Sequence, residues 1–132
     1  MKRYQFNKLI RSKLQNRMIR EGVIINASPL THEQYIEQLK NKIIEEANEV
    51  TKANSTDSLI IELADVMEVI HAIANASNIN MQNIEDARLT KKEINGHFTS
   101  LDYINYIEVS STNYKVIDYL ENKDRPYVNE KA

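Results

Sequence analysis

The chain has few of the residues that cross-link or interrupt a fold. It has no cysteine, which excludes disulfide bonds, thiolate metal ligands and a cysteine nucleophile. Its 132 residues include only two prolines and two glycines, whereas sheets with tight hairpins need more such turn residues. No apolar run approaches the length of a membrane span, and residues 1–20 lack the apolar stretch of a signal peptide. These absences favour a helical protein, which we expect to act in the cytoplasm without a membrane partner.

Apolar residues recur at helical spacing through most of the chain. They predict four helices, at residues 8–21, 31–53, 58–76 and 81–94. Gly22 stands where a glycine cap would end the first helix. Thr31 and Gln34 have the spacing of a capping box, which marks the start of the second. We therefore predict an all-α bundle of about four helices.

The last third of the chain is less regular. Residues 103–109 contain several β-favouring side chains and predict a short strand near the C-terminus. Residues 116–120 predict another short element. We expect residues 1–98 to form the helical core and residues 99–132 to form a C-terminal extension of the same domain.

The third predicted helix is apolar on almost every side, yet it contains Glu62, Asp65 and Glu68. A helix of this kind is usually buried between partner helices or at a subunit interface. Because burying a bare carboxylate is costly, each needs a cation, a hydrogen-bond network or a wet cleft. A domain of only four helices cannot bury all the apolar sides of such a helix, so we expect a homodimer or a larger homo-oligomer.

Two pairs of carboxylates are predicted to face each other. Glu46 and Glu49 lie one turn apart on the second helix, and Glu62 and Asp65 lie one turn apart on the third. The short connection between these helices favours an antiparallel hairpin. Four converging carboxylates suit Mg²⁺, which prefers a few such ligands with water or phosphate completing its shell. The alternative is a solvated helix face whose glutamates pair with lysines such as Lys42 and Lys52.

Charge is strongly sorted along the sequence. Residues 1–20 contain seven basic side chains and no acidic one, whereas residues 31–70 contain nine acidic side chains. This segregation suits a polyphosphate ligand bridged by a divalent metal, and it also suits pairing of the two segments with each other. A solvated basic face is a further alternative for the basic side chains. The candidates to bind phosphate are Lys8, Arg11, Lys13, Arg88 and Lys92.

The two acidic motifs resemble the signature of a known superfamily. Glu-Glu-x-x-Glu at residues 45–49, twelve further residues and Glu-x-x-Asp at residues 62–65 are similar to the motifs of the all-α nucleoside triphosphate pyrophosphohydrolases. That superfamily includes MazG, the dimeric dUTPases and phosphoribosyl-ATP pyrophosphohydrolase. The likeness covers about residues 4–98 and is greatest to small MazG-like proteins, whose opening motif is similar to residues 7–13. The chain departs from that opening motif at Ser12, where aspartate is usual.

The resemblance implies a Mg²⁺-dependent enzyme, with Mn²⁺ as a substitute, that cleaves a nucleoside triphosphate to a monophosphate and pyrophosphate. It implies that Glu46, Glu49, Glu62 and Asp65 bind the metal. Glu45 is a candidate to orient the attacking water because of its position beside the ligands, and the expected catalytic carboxylates are Glu45, Glu46 and Glu49.

Other functions remain open at this point. The same scaffold suits a catalytically silent nucleotide sensor or a helical interaction module. Nucleic acid is not an expected partner, because the net charge is −2 and no recognition motif is present. His71, a lone histidine on an apolar helix, is expected to be a structural residue more than a metal ligand.

Overall fold

The computed structural model describes residues 1–122, and the regular structure in that range is helical. Its five helices are α1 (Ser12–Arg20), α2 (His32–Lys52), α3 (Thr56–Ala76), α4 (Met81–Asn95) and α5 (Tyr114–Glu121). The predicted all-α fold is therefore confirmed. The strand predicted at residues 103–109 is wrong, because that segment has no regular secondary structure and pairs with no other strand in the described range. The last ten residues of the expected C-terminal extension, 123–132, lie outside the described residues.

Helix α1 is shorter at its start than predicted. It begins at Ser12, and the backbone of Arg11 before it is extended, with φ −65° and ψ 142°. Asn7, four residues before Arg11, has a positive φ of 49°. At the other end Gly22 has a φ of 88°, and its N–H donates to the carbonyl of Ile19 at 3.0 Å. The predicted glycine cap is confirmed, since this backbone conformation favours glycine.

Helices α2 and α3 form the central hairpin. The capping box at the start of α2 is confirmed: Thr31 Oγ1 accepts from the N–H of Gln34 at 3.1 Å, and Gln34 Oε1 accepts from the N–H of Thr31 at 3.0 Å. Only residues 53–55 separate the two helices. Ser55 then caps α3, its Oγ accepting from the N–H of Ser58 at 3.1 Å. Because the connection is so short, the helices pack along each other in opposite directions.

The core of this hairpin is thin. In residues 1–122 the buried apolar side chains are Leu39 on α2 and Val69 and Ala74 on α3. On the side of α3 opposite Val69, an apolar stripe is exposed: Ile60 is 60 %, Leu63 48 % and Met67 57 % accessible. Side chains at this spacing lie on one helix face. The hairpin thus presents one side of α3 to α2, and the other side stays exposed among residues 1–122.

Internal contacts divide the chain into two units, Met1–Asn95 and Gly96–Ala132. The first contains α1 to α4. In the second, α5 covers the short element predicted at residues 116–120, and the side chain of Asn113 caps it by accepting from the N–H of Val116 at 3.5 Å. None of the helices described here combines the length and the hydrophobicity needed to cross a bilayer.

Candidate metal centre

Three carboxylates converge between α2 and α3. One oxygen each from Glu46, Glu62 and Asp65 lies within 4.8 Å of the other two, and all three side chains are half-buried. Glu46 lies two turns after buried Leu39 on α2, on the side that packs against α3. Glu62 and Asp65 lie one turn apart on α3. The predicted convergence of acids from two neighbouring helices is therefore present for these three residues.

The donor set of this cluster fits a hard divalent cation. Carboxylate oxygens are the ligands that Mg²⁺ takes from proteins, usually a few at a time. The pKa of Glu62 is raised, first by loss of solvent around the carboxylate and then by repulsion from its acidic neighbours. These neighbours, in decreasing order of effect, are Asp65, Glu49 and Glu46. A bound cation would relieve this repulsion.

Glu49 lies at the edge of the cluster. It was predicted as a fourth ligand, but its carboxylate is not one of the three that converge within 4.8 Å. Its Oε1 lies 3.6 Å from Lys52 Nζ, and its side chain is 47 % exposed. It is still near enough to raise the pKa of Glu62. Its role as a ligand stays a prediction.

Glu45 is held by two lysines. Its Oε1 accepts from Lys42 Nζ at 3.0 Å and from Lys8 Nζ at 3.2 Å. Burial alone would raise the pKa of Glu45, but the hydrogen bonds and charges of Lys42 and Lys8 outweigh it, so the pKa is lowered. The carboxylate is therefore ionised at neutral pH and is held by two hydrogen bonds. Its role in orienting a water molecule stays a prediction.

Lys42 lies beside two glutamates of α2. Its Nζ lies 3.0 Å from Glu45 Oε1 and 3.5 Å from Glu46 Oε1. The alternative interpretation of the glutamates, in which they pair with lysines at helical spacing, predicted this pairing. It did not predict the burial, since only 17 % of the Lys42 side chain and 13 % of the Glu46 side chain are exposed.

Two of the predicted phosphate-binding cations contact the acidic residues. Arg11 Nη2 donates to Asp65 Oδ1 at 2.8 Å, and Lys8 pairs with Glu45. Pairing of the basic and acidic segments, one of the two alternatives that the charge pattern left open, is thus present for these side chains. Lys13 is exposed on α1.

The remaining predicted phosphate-binding residues lie on α4. Arg88 Nε donates to Glu85 Oε2 at 2.8 Å, and this hydrogen bond raises the pKa of Arg88 and lowers that of Glu85. Lys92 is exposed one turn further along. In the described residues, the ion pair of Arg88 is with Glu85 and not with the carboxylates of α2 and α3.

A separate open groove of about 630 Å³ lies where α2, α3 and the start of α4 meet. His71 lies in its wall and is exposed there, away from the three converging carboxylates. The side chains that line the groove are Tyr35, Glu68, His71, Ala72, Ala74, Asn75, Ile79 and Met81.

No protein-family model, curated protein or solved structure matches the chain. The features that bear on function are therefore those of the site itself. They are the three converging carboxylates, Lys42 beside them, and the cations of residues 8 and 11 that contact the acidic residues.

Proposed function

We propose that the protein is a Mg²⁺-dependent nucleotide pyrophosphohydrolase of the all-α, MazG-like type. The observation that carries the proposal is the convergence of Glu46, Glu62 and Asp65 from two helices within 4.8 Å. These are three of the four positions that the resemblance implies as ligands. Like charges this close favour a divalent cation between them, because a cation offsets their mutual repulsion.

The proposed reaction is attack of water on the α-phosphorus of a nucleoside triphosphate. The new P–O bond forms to the water oxygen, the bond from phosphorus to the bridging oxygen breaks, and pyrophosphate leaves. Mg²⁺, or Mn²⁺ in its place, would lower the pKa of the water and offset charge on the phosphate oxygens. Glu46, Glu62 and Asp65 would hold it, with Glu49 next to them on α2. Glu45, ionised and fixed by two lysines, orients the water.

Cations near the site are suited to the phosphates of the substrate. Arg11 contacts Asp65, one of the proposed metal ligands, Lys8 contacts Glu45, and Lys13 follows on α1. Guanidinium and ammonium groups recognise phosphate oxygens by charge-assisted hydrogen bonds. Arg88 and Lys92 of α4 are proposed as secondary contacts. Free nucleotides are cytoplasmic metabolites, so we place this activity in the cytoplasm.

We also propose that the protein is a homodimer or larger homo-oligomer. Three buried apolar side chains are a small core for the unit Met1–Asn95. The stripe of Ile60, Leu63 and Met67 is uncovered along α3. A second copy packing on this stripe would enlarge the core without disturbing the opposite side of α3, which holds the carboxylates.

A second candidate function is a nucleotide sensor without catalysis, or an interaction module. It is favoured by one observation, that Lys8 and Arg11 already pair with Glu45 and Asp65. In these pairs the basic side chains offset acidic charge directly, without a metal ion or a substrate.

The experiment that separates these functions is a panel of nucleoside triphosphates incubated with Mg²⁺ and scored by product identity. We expect pyrophosphate and a monophosphate, and at least a hundredfold loss in Glu46→Gln, since metal ligands are needed for the chemistry (about 3 kcal/mol of transition-state stabilisation). Glu37→Gln is the matched control, because Glu37 is an exposed glutamate of the same helix.

If no nucleotide is cleaved but one raises the melting temperature, the protein is a sensor. If no nucleotide is cleaved and none changes the melting temperature, the interaction module stands. Release of orthophosphate instead of pyrophosphate would contradict the proposed reaction.

A further inference from the structure

Residues 7–11, which have no regular secondary structure, contact both helices of the central hairpin. Lys8 Nζ lies 3.2 Å from Glu45 Oε1 on α2, and Arg11 Nη2 lies 2.8 Å from Asp65 Oδ1 on α3. Leu9 and Ile10, between the two cations, are half-buried. Two ion pairs and two partly buried apolar side chains therefore attach a segment that has no regular secondary structure of its own.

The contact of Arg11 involves a carboxylate that is one of the three converging acids. Asp65 offers an oxygen to the cluster with Glu46 and Glu62, and the guanidinium of Arg11 is bonded to the same carboxylate. A divalent cation among these oxygens would compete with Arg11 for Asp65 and would repel its positive charge. The ion and the Arg11–Asp65 pair are consequently linked, so that each weakens the other by the same factor.

We infer that residues 7–11 are a cationic latch that divalent metal releases. With no metal bound, Arg11 neutralises Asp65. When the metal binds, Arg11 leaves Asp65 and its guanidinium becomes free for the phosphates of a nucleotide. The inference rests on the proposed function, because the ion is the one that the proposed hydrolysis requires. It adds an order of events, in which metal binding precedes and prepares phosphate binding.

Release of residues 7–11 can be followed with a single fluorescent side chain. It contains no tryptophan, so a Phe6→Trp variant has a single tryptophan fluorophore. Phe6 is half exposed, and Lys8 Nζ lies 5.5 Å from the centre of its ring. The fluorescence anisotropy at this position therefore reports how mobile the chain is beside Lys8, at the start of the segment.

The test measures that anisotropy together with Mg²⁺ binding by calorimetry, which needs no catalytic activity. In the Phe6→Trp background we expect Mg²⁺ to lower the anisotropy. Adding Arg11→Met should give the same low anisotropy without Mg²⁺. It should also tighten Mg²⁺ binding at least about fivefold, which is the smallest change in affinity usual between two coupled sites. Arg17→Met is the matched control. It removes the same charge from the same region, but Arg17 lies 4.0 Å from Glu21 and not beside the acidic cluster.

The outcomes distinguish the latch from the proposed function. If Mg²⁺ binds the parent protein but leaves the anisotropy unchanged, the latch is wrong and the metal site stands. Arg11→Met and Arg17→Met binding Mg²⁺ equally well would overturn the latch in the same way. If Mg²⁺ does not bind the parent protein at all, both the latch and the proposed function fail.

Discussion

Single residues determine which carboxylates are available to a metal ion. Lys42 lies beside Glu46, and Arg11 is bonded to Asp65. Among residues 1–122, Glu62 is the one of the three converging carboxylates that takes part in no ion pair, and its pKa is raised. Exposed ion pairs such as that of Arg11 with Asp65 contribute only about 0–1 kcal/mol each to stability. Their main effect here is therefore on the local charge, which leaves Glu62 as the least compensated acid.

Replacing Glu62 by glutamine tests this local charge. A raised pKa means that the folded protein disfavours the ionised form of Glu62. This loss of folding stability is absent at pH values below the ordinary carboxyl pKa, where Glu62 is protonated in both the folded and the unfolded chain. It is complete at pH values above the raised pKa of the folded protein. Without divalent metal, we expect Glu62→Gln to raise the Tm modestly at neutral pH and to leave it unchanged in acid.

Thermal melts at both pH values, with and without Mg²⁺, provide the measurement. With Mg²⁺, the parent protein should gain Tm and Glu62→Gln should gain much less, because one ligand is missing. Glu37→Gln, which changes an exposed glutamate of α2, should behave like the parent throughout. A lower Tm for Glu62→Gln at neutral pH without metal would show that the clustered charges do not repel each other.

The part of the site that follows from local spacing was predictable. Glu62 and Asp65 share a face of α3 because of helical periodicity, and the short connection brings Glu46 opposite them. The rest depends on side-chain direction and on distant contacts. Periodicity does not show that Glu49 lies outside the three converging carboxylates, or that Arg11 reaches an acid 54 residues away.

Among the helices and the expected strand, too, features set by neighbouring residues were predictable, and features set by distant contacts were not. The start of α2 was predicted because its capping box involves residues three positions apart. The start of α1 was placed four residues early, because residues 8–11 are not helical and make ion pairs to α2 and α3 that sequence periodicity does not report. The strand at residues 103–109 failed because β-favouring side chains form a strand only where another strand pairs with it.

The capping box at Thr31 gives a prediction at the scale of the helix. Thr31→Ala removes the acceptor for the N–H of Gln34 and should lower the free energy of unfolding by about 1 kcal/mol. Thr31→Ser keeps the acceptor and should change it by only a few tenths of that amount. Urea unfolding followed by the helical circular dichroism signal measures both. Equal stability of the alanine and serine variants would show that the cap contributes nothing to the folded state.

At the scale of the whole molecule, the question is what covers α3. The unit Met1–Asn95 buries few side chains, while Ile60, Leu63 and Met67 remain exposed on one face. Stable interfaces bury about 800 Å² on each partner, and an apolar stripe along a helix of 21 residues can supply much of the centre of such an area. Self-association would thus add to the thin core from which the site is built.

Leu63→Lys tests this assembly. A charge in the middle of the stripe has to be buried at the interface without a partner, so we expect the variant to dissociate. Light scattering coupled to size-exclusion chromatography should give at least a dimer mass for the parent protein and a monomer mass for Leu63→Lys. Ile94→Lys is the control, since Ile94 is 75 % exposed at the end of α4 and lies off the stripe. A monomeric parent protein would refute the proposed assembly.

The central claim is that Glu46, Glu62 and Asp65 together hold a divalent cation. The most direct measurement is a crystal structure of the protein grown with Mn²⁺, in which anomalous scattering locates the metal. We expect an anomalous peak between α2 and α3, with an oxygen of each of the three carboxylates at about 2.1 Å. No peak at this position, or a peak bound by other residues while the three carboxylates point apart, would contradict the account.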